Sequence, residues 1–251
     1  MKAVKPTNDF YGQLQYAYEH FNRTLFDRAL PECLITVQRE KNTMGFFSPL
    51  RWSSTSASDV HEIALNPIYF ANRKVIEIFQ TLVHEQCHLW QHEFGNPSRS
   101  GYHNREWAEK MESIGLMPSS SAQVGGRKVG QKMSDYVIDG GVFQRSCIGL
   151  IKKGYQFNWV DRRTNLQGSE DSLKRKHKRS VPTKFMKNSP EVLLELPVSI
   201  LIPNFVPEMK TTAEKTRYKT KYCCPHCKIN VWGKPMLHIR CETCDASFIP
   251  E

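Results

Sequence analysis

The stretch that most constrains this chain is Val75-Ile-Glu-Ile-Phe-Gln-Thr-Leu-Val-His-Glu-Gln-Cys-His-Leu-Trp90. It contains no Pro or Gly, and Val75, Ile76, Phe79, Leu82 and Val83 recur at helical spacing. That spacing predicts a helix over about residues 72–93 with one apolar face. Residues four apart on a helix lie one above the other, so His84 and His88 can aim their imidazoles at one point. Two such imidazoles are half of a zinc site, and Glu85 sits beside the first. A metal that acidifies water and a carboxylate that takes its proton are what a zinc hydrolase needs. On a solvated helix the pattern can arise by chance. Here the helix is apolar, and another histidine follows at a useful distance.

The candidates for a third ligand are His103, His92, Glu93, Glu106 and Glu109. His92 continues the row of His84 and His88 but lies two turns from His84, too far along one straight helix to share a tetrahedral ion. The longer signature that adds a Gly and a His after the second histidine fails, because Gln91 and Phe94 stand in those places. His103 would stand at the first turn of a second helix, whose apolar face is Trp107, Ala108, Met111 and Ile114 and whose stop is Gly115. The sequence leaves a carboxylate from Glu106 or Glu109 open.

Upstream, residues 8–30 read as a helix with Asn8 or Asp9 as its cap, an apolar stripe from Leu14 to Phe26, and Pro31 as its end. Short strands are expected at 33–39, 43–48 and 61–66, which places three strands between two helices in an α+β layout. After residue 118 the character changes. Residues 119–168 are Gly-rich with short apolar runs at Tyr136-Val-Ile, Gly140-Gly-Val-Phe, Cys147-Ile-Gly-Leu-Ile and Tyr155–Val160, which suggest short strands with glycine turns. Residues 169–216 read as a basic linker followed by a short packed segment at 191–206.

Residues 217–251 carry Cys224-Pro-His-Cys227 and Cys241-Glu-Thr-Cys244, two pairs separated by thirteen residues. Each pair can form a knuckle on one side of a tetrahedral zinc, which predicts a compact four-cysteine ribbon. Cys223 fits the knuckle less well than Cys224. Lys228 and Asp245 follow the second cysteine of each pair, where many knuckles carry Gly.

Charge divides the chain. Residues 1–120 carry a net charge of −1, and residues 121–251 carry +11. A neutral half joined to a basic one points to a polyanion partner. The run Lys174, Arg175, Lys176, Lys178 and Arg179 can neutralise phosphates. Around the ribbon, Lys219, Lys221, Tyr222, Lys228, Trp232, Lys234 and Arg240 mix cations with aromatic faces, as single-strand binders do. A purely structural role for Tyr222 and Trp232, as the ribbon's small core, is the competing reading. No run of eighteen apolar residues predicts a membrane span. The first ten residues lack the apolar core of a signal peptide, so a cytoplasmic protein is expected, nucleoid-associated if bacterial and nuclear if eukaryotic. In that setting cysteines read as metal ligands rather than disulfides.

Phe21-Asn-Arg-Thr-Leu-Phe closing the first helix, Thr81-Leu-Val-His-Glu-Gln-Cys-His, and His103-Asn-Arg-Glu-Trp107 together resemble the SprT-like (SprT/Spartan-like) zinc metalloprotease family. The C-terminal ribbon adds to the resemblance, which covers residues 8–118 and 217–251. It implies a zincin-like catalytic domain at 1–118, a catalytic zinc on His84, His88 and His103, and Glu85 as general base. With the structural zinc on Cys224, Cys227, Cys241 and Cys244, two zinc ions per chain are expected. Where the family shows Gly-His-Gly at the third ligand, this chain has Gly101-Tyr-His-Asn104. The resemblance further implies an endopeptidase that acts on proteins bound or crosslinked to DNA. A nucleic-acid-binding zinc protein without proteolysis, and a regulatory peptidase indifferent to DNA, are the competing classes.

Overall fold

The computed structural model describes residues 5–55, 58–164, 189–208 and 219–250. It divides into two compact units, Met1–Pro207 and Glu208–Glu251, each taken by itself here. The architecture is mixed helix and sheet, and the sheets are small.

The first helix, α1, spans Pro6–Leu25 and buries Leu14, Ala17, Tyr18, Phe21 and Leu25. Pro6 stands at its first position, where a missing N–H costs nothing, so neither Asn8 nor Asp9 caps it. It ends well before Pro31. Asp27 and Arg28 take left-handed backbone conformations, and the Asn22 amide both donates to the Leu30 carbonyl and accepts from the Leu30 N–H. That side-chain clamp, rather than the proline, turns the chain.

Three strands follow: β1 (Leu34–Val37), β2 (Gly45–Trp52) and β3 (Val60–Leu65). β3 lies in the middle, parallel to β1 and antiparallel to β2, which leaves β2 at an edge. The β2–β3 register shifts between Ser48 and Trp52, where Leu50 has a positive φ of 45°. A 3-10 turn, Pro67–Asn72, leads into α2, Val75–Phe94. α2 buries Val75, Ile76, Ile78, Phe79, Leu82, Val83, Cys87 and Leu89, the face its periodicity predicts.

α3 spans Arg105–Ser113 and is capped by Asn104, whose side chain accepts from the Trp107 N–H at 3.0 Å. The chain then forms a hairpin of β4 (Leu116–Ser119) and β5 (Ser134–Val137). Residues expected to give strands at 140–151 instead form α4, Val142–Lys152. Phe143, Ser146, Cys147 and Leu150 are its buried face, at spacings of three, one and three. The period is helical, and the apolar runs were too short to display it as separate strands. No strand forms at 155–160 either; Tyr155 and Phe157 pack edge-on and stacked against Phe79.

The expected packed segment at 191–206 is observed as α5 (Pro190–Leu194) and α6 (Val198–Leu201). It braces the start of α2: the Val75 N–H donates to the Leu196 carbonyl and the Val198 N–H to the Arg73 carbonyl. Leu194 and Val198 join the core formed by α1, α2, α3 and α4. The change of composition at residue 118 therefore does not coincide with an edge of the core, which runs on through Val198. Among the described residues no helix is long and apolar enough to cross a membrane.

In the second unit, β6 (Thr220–Cys223) lies between β7 (Asn230–Gly233) and β10 (Ile249–Pro250), while β8 (Arg240–Cys241) pairs with β9 (Ala246–Ser247). Its core is small. Tyr222 is fully buried, donates to the Lys234 carbonyl and accepts from the Leu237 N–H.

Phe143 is fully buried and its ring lies 6.0 Å from that of Phe21. Phe143→Ala is expected to cost about 3–5 kcal/mol in chemical denaturation of the full chain. A loss below about 1 kcal/mol would mean that α4 is not part of the main core.

Candidate metal centre

α2 carries His84 and His88 one turn apart, with ring centroids 5.2 Å apart. His103 arrives from the connection to α3, one residue before the Asn104 cap. The connection is held by a network: Gln91 donates to Asn104 and to Glu106, Asn104 donates to the Asn96 carbonyl, and Glu106 accepts from the Asn96 N–H. The three histidines converge. Nε2 of His103 lies 3.1 Å from Nε2 of His88 and 3.3 Å from Nε2 of His84.

The remaining nitrogens explain what these short spacings require. Nδ1 of His84 meets the Asp135 carboxylate at 3.0 Å, and Nδ1 of His103 meets the Gly130 carbonyl at 3.2 Å. Both Nδ1 atoms donate, so the Nε2 lone pairs of His84 and His103 face the common point. Lone pairs at that distance repel unless a cation lies between them. Tetrahedral zinc with Zn–N near 2.0–2.1 Å sets its nitrogens about 3.3 Å apart, so donor type and spacing fit that ion. Burial and the neighbouring His84 push His88 far below the usual histidine range, and the same causes lower His103 to about 4, which keeps both neutral near pH 7. At His84 burial also opposes charge, but the hydrogen bond to Asp135 and the charges of Glu85 and Asp135 outweigh it and raise its pKa.

Trp107 forms the floor. It is fully buried, its ring lies 4.4 Å from His103 and 4.8 Å from His84, and it stacks on His88 at 5.3 Å. The sequence placed it on an apolar helix face. Its position four residues after His103 was the signal for more.

The other candidate ligands lie elsewhere. Glu106 holds the Asn96 turn, and Glu109 pairs with Arg105 on the surface. His92 and Glu93 group with His61, a second cluster of possible donors. There, Nδ1 of His61 accepts from the Leu50 N–H, so Nε2 carries the proton and donates to Glu93 at 3.1 Å. A neutral imidazole in that tautomer has no lone pair left for a metal. His61 instead ties the irregular end of β2 to the end of α2.

Glu85 lines a cleft of about 1230 Å³ beside the three histidines. Burial raises its carboxyl to about 7 against the opposing pull of His84 and, more weakly, of the nearby Phe47 main chain. β2 and α2 meet closely at Gly45, where a Cβ would lie 2.9 Å from the Ala64 carbonyl, 3.0 Å from Thr81 and 3.4 Å from Glu85.

In the ribbon, the sulfurs of Cys224, Cys227, Cys241 and Cys244 all lie within 4.8 Å of one another, and Cys227 and Cys241 are 3.8 Å apart. Zn–S bonds near 2.3 Å in a tetrahedron set sulfurs about 3.8 Å apart, so this set also fits zinc. Cys223 stands outside it, with its thiol near the Cys224 carbonyl. Lys228 and Asp245 take left-handed φ values of 62° and 53°, the conformation that many knuckles give to Gly.

The nucleic-acid candidates separate. Tyr222 is ribbon core and presents no face for stacking, which corrects its nomination. Trp232 is 60% exposed and stands opposite Lys221 in the β6–β7 register. Lys219, Lys228 and Lys234 are exposed, and Arg240 pairs with Asp245. Lys174, Arg175, Lys176, Lys178 and Arg179 lie outside the described residues. Asp135, Gly130 and Gln80 were not legible as site residues.

An α+β unit that gathers three histidines and a buried carboxylate on one cleft has the form of a metal-dependent protein. Residues 14–125 match the SprT-like family, and this part of the chain is a SprT-like domain. A 43-residue stretch is 56% identical to an uncharacterized protein in the mucB 3′ region of Salmonella typhimurium, covering 17% of this chain and 58% of that protein. The chain thus spans little more than half the length of that relative. No solved structure matches. The match of residues 14–125 to the SprT-like family suggests a metallopeptidase-like function for that part of the chain.

Gly45→Ala is expected to cost about 1–3 kcal/mol, because the added methyl overpacks the contact between strand and helix. Thermal unfolding at wild-type temperature would show that β2 yields freely there.

Proposed function

We propose that the chain is a zinc-dependent endopeptidase with a zincin-like catalytic unit that works on DNA-associated proteins. The observation that supports this most directly is the convergence of three imidazole nitrogens beside Glu85 in an open cleft. His84, His88 and His103 would hold a catalytic zinc, and Cys224, Cys227, Cys241 and Cys244 a structural one. A zinc ion held there would supply Lewis acidity, making water acidic near neutral pH and polarising a carbonyl.

The remaining chemistry belongs to the chain. Glu85 takes the proton from water as its oxygen attacks the peptide carbonyl, then returns it to the leaving amine nitrogen. The cleft of about 1230 Å³ is lined by Met44, Phe46 and Phe47 at the edge strand and by Tyr102, Met133 and Tyr136 among its other residues. DNA is the proposed recruiting partner because the half of the chain beyond residue 120 carries +11, and Trp232 offers an exposed ring among cations. A cytoplasmic, nucleoid or nuclear location follows from that partner and belongs to the same proposal.

Wild-type protein is expected to hold two zinc ions by elemental analysis, and His88→Ala one. Two ions retained by His88→Ala would remove the histidines from metal binding. Cleavage of a DNA-bound protein, with and without single-stranded DNA, tests the activity. Glu85→Gln should lower it by about 10²–10⁴-fold with zinc retained. Full activity in that variant would overturn the role of Glu85. Cleavage indifferent to DNA would favour a regulatory peptidase, and DNA binding without any cleavage a binding protein.

A further inference from the structure

The family match ends at residue 125, yet the site does not. The turn and strand that follow approach two of the three histidines from the side away from their shared focus. Gly130 forms a reciprocal main-chain pair with His103, N to O at 2.9 Å and 3.0 Å, and its carbonyl also accepts from the His103 ring. Asp135, on β5, accepts from Nδ1 of His84 through Oδ2. Its Oδ1 accepts from Nε2 of Gln80 at 2.7 Å, and Gln80 also donates to the Asp135 carbonyl. The Asp135 side chain is 7% exposed, and no lysine or arginine pairs with it among the described contacts.

Gln80 and His84 stand one turn apart on α2, so the helix carries both the histidine and the amide that holds its carboxylate in place. An ionised carboxylate and a main-chain carbonyl can only accept hydrogen bonds. Each therefore forces the facing Nδ1 to carry the proton and leaves Nε2 with its lone pair. The tautomers of His84 and His103 are thus dictated by their partners.

We propose that Asp135 is a positioning residue of the metal centre, fixing His84 in the tautomer and ring orientation that offer Nε2 to the ion, with Gly130 doing the same for His103. The hairpin from Leu116 to Val137 then belongs to the site as its outer layer. Asp135 touches neither substrate nor reacting atoms. It acts through His84. This rests on the reading of His84, His88 and His103 as a zinc site, and goes beyond it by assigning the groups that fix two of its donors in place.

The test measures zinc affinity of the full-length chain by chelator competition, with His103→Ala marking the zinc held by the ribbon alone. Asp135→Ala is expected to weaken zinc at the histidine site about 10–100-fold, leaving ribbon zinc unchanged. Zinc-free unfolding should stay at the wild-type midpoint. Gln80→Ala should weaken zinc less, since the carboxylate still reaches His84. Wild-type affinity in Asp135→Ala would overturn the proposal. So would a loss of affinity matched by an equal loss of zinc-free stability, which marks a merely structural residue. If Asp135→Ala does not fold, Asp135→Asn decides. Its amide keeps the shape, but anchored through its oxygen to Gln80 it turns a donor toward His84, so weakened zinc supports the proposal and wild-type affinity ends it. Were wild type and His103→Ala to bind the same single zinc, the metal reading itself would fail, a result distinct from the others.

Discussion

The Nε2 lone pairs of His84 and His103 face each other at 3.3 Å and repel, and this repulsion is what the surrounding structure must withstand. Two of the three histidines share a helix, so their separation is set by the helical pitch. The third has no such constraint. It is delivered by a short connection fixed through Gln91, Asn96, Asn104 and Glu106, and it rests against the Trp107 ring. α2 is itself a buried helix, packed by α1, α3 and α4 and braced at its start by residues 196–198. A site whose donors repel stays assembled because none of its supports is a free side chain.

The second unit solves a related problem with much less material. Its described core amounts to Tyr222, Cys224 and Cys241, far too little apolar burial to order a ribbon of this length without further ties. Four sulfurs at metal-ligand spacing would supply such a tie once a metal is bound. In the first unit packing positions the donors, whereas in the ribbon the donors position the packing.

Features governed by local periodicity were legible in the chain itself. The apolar face of α2, the pairing of His84 with His88, the strands at 34–37 and 60–65, and the two cysteine knuckles all follow from spacing within a few residues. His103 was reachable through resemblance. What could not be read depends on contacts between distant positions. Asp135 lies 51 residues from His84, and no spacing rule links a strand residue to a helix on another part of the core. Tyr222 and Trp232 stand in adjacent strands of one ribbon, yet one is core and the other surface; that difference appears only with the register. α4 was missed for another reason: glycines at 140, 141 and 149 break its apolar pattern into runs that mimic strands, although Gly149 lies within the helix with room around it.

Gly45 brings the edge strand against the Thr81 and Glu85 side chains of α2 with no side chain of its own between. The distance from β2 to the carboxylate is therefore set there by the strand's main chain and the α2 side chains that face it. Side-chain replacements elsewhere on β2 can change what the wall is made of, but they do not move it. Adaptation of such a cleft to bulkier or more slender chains falls to its other lining residues, among them Tyr102, Met133 and Tyr136. The geometry separates a strand whose approach to Glu85 is fixed at Gly45 from lining residues that are free to vary.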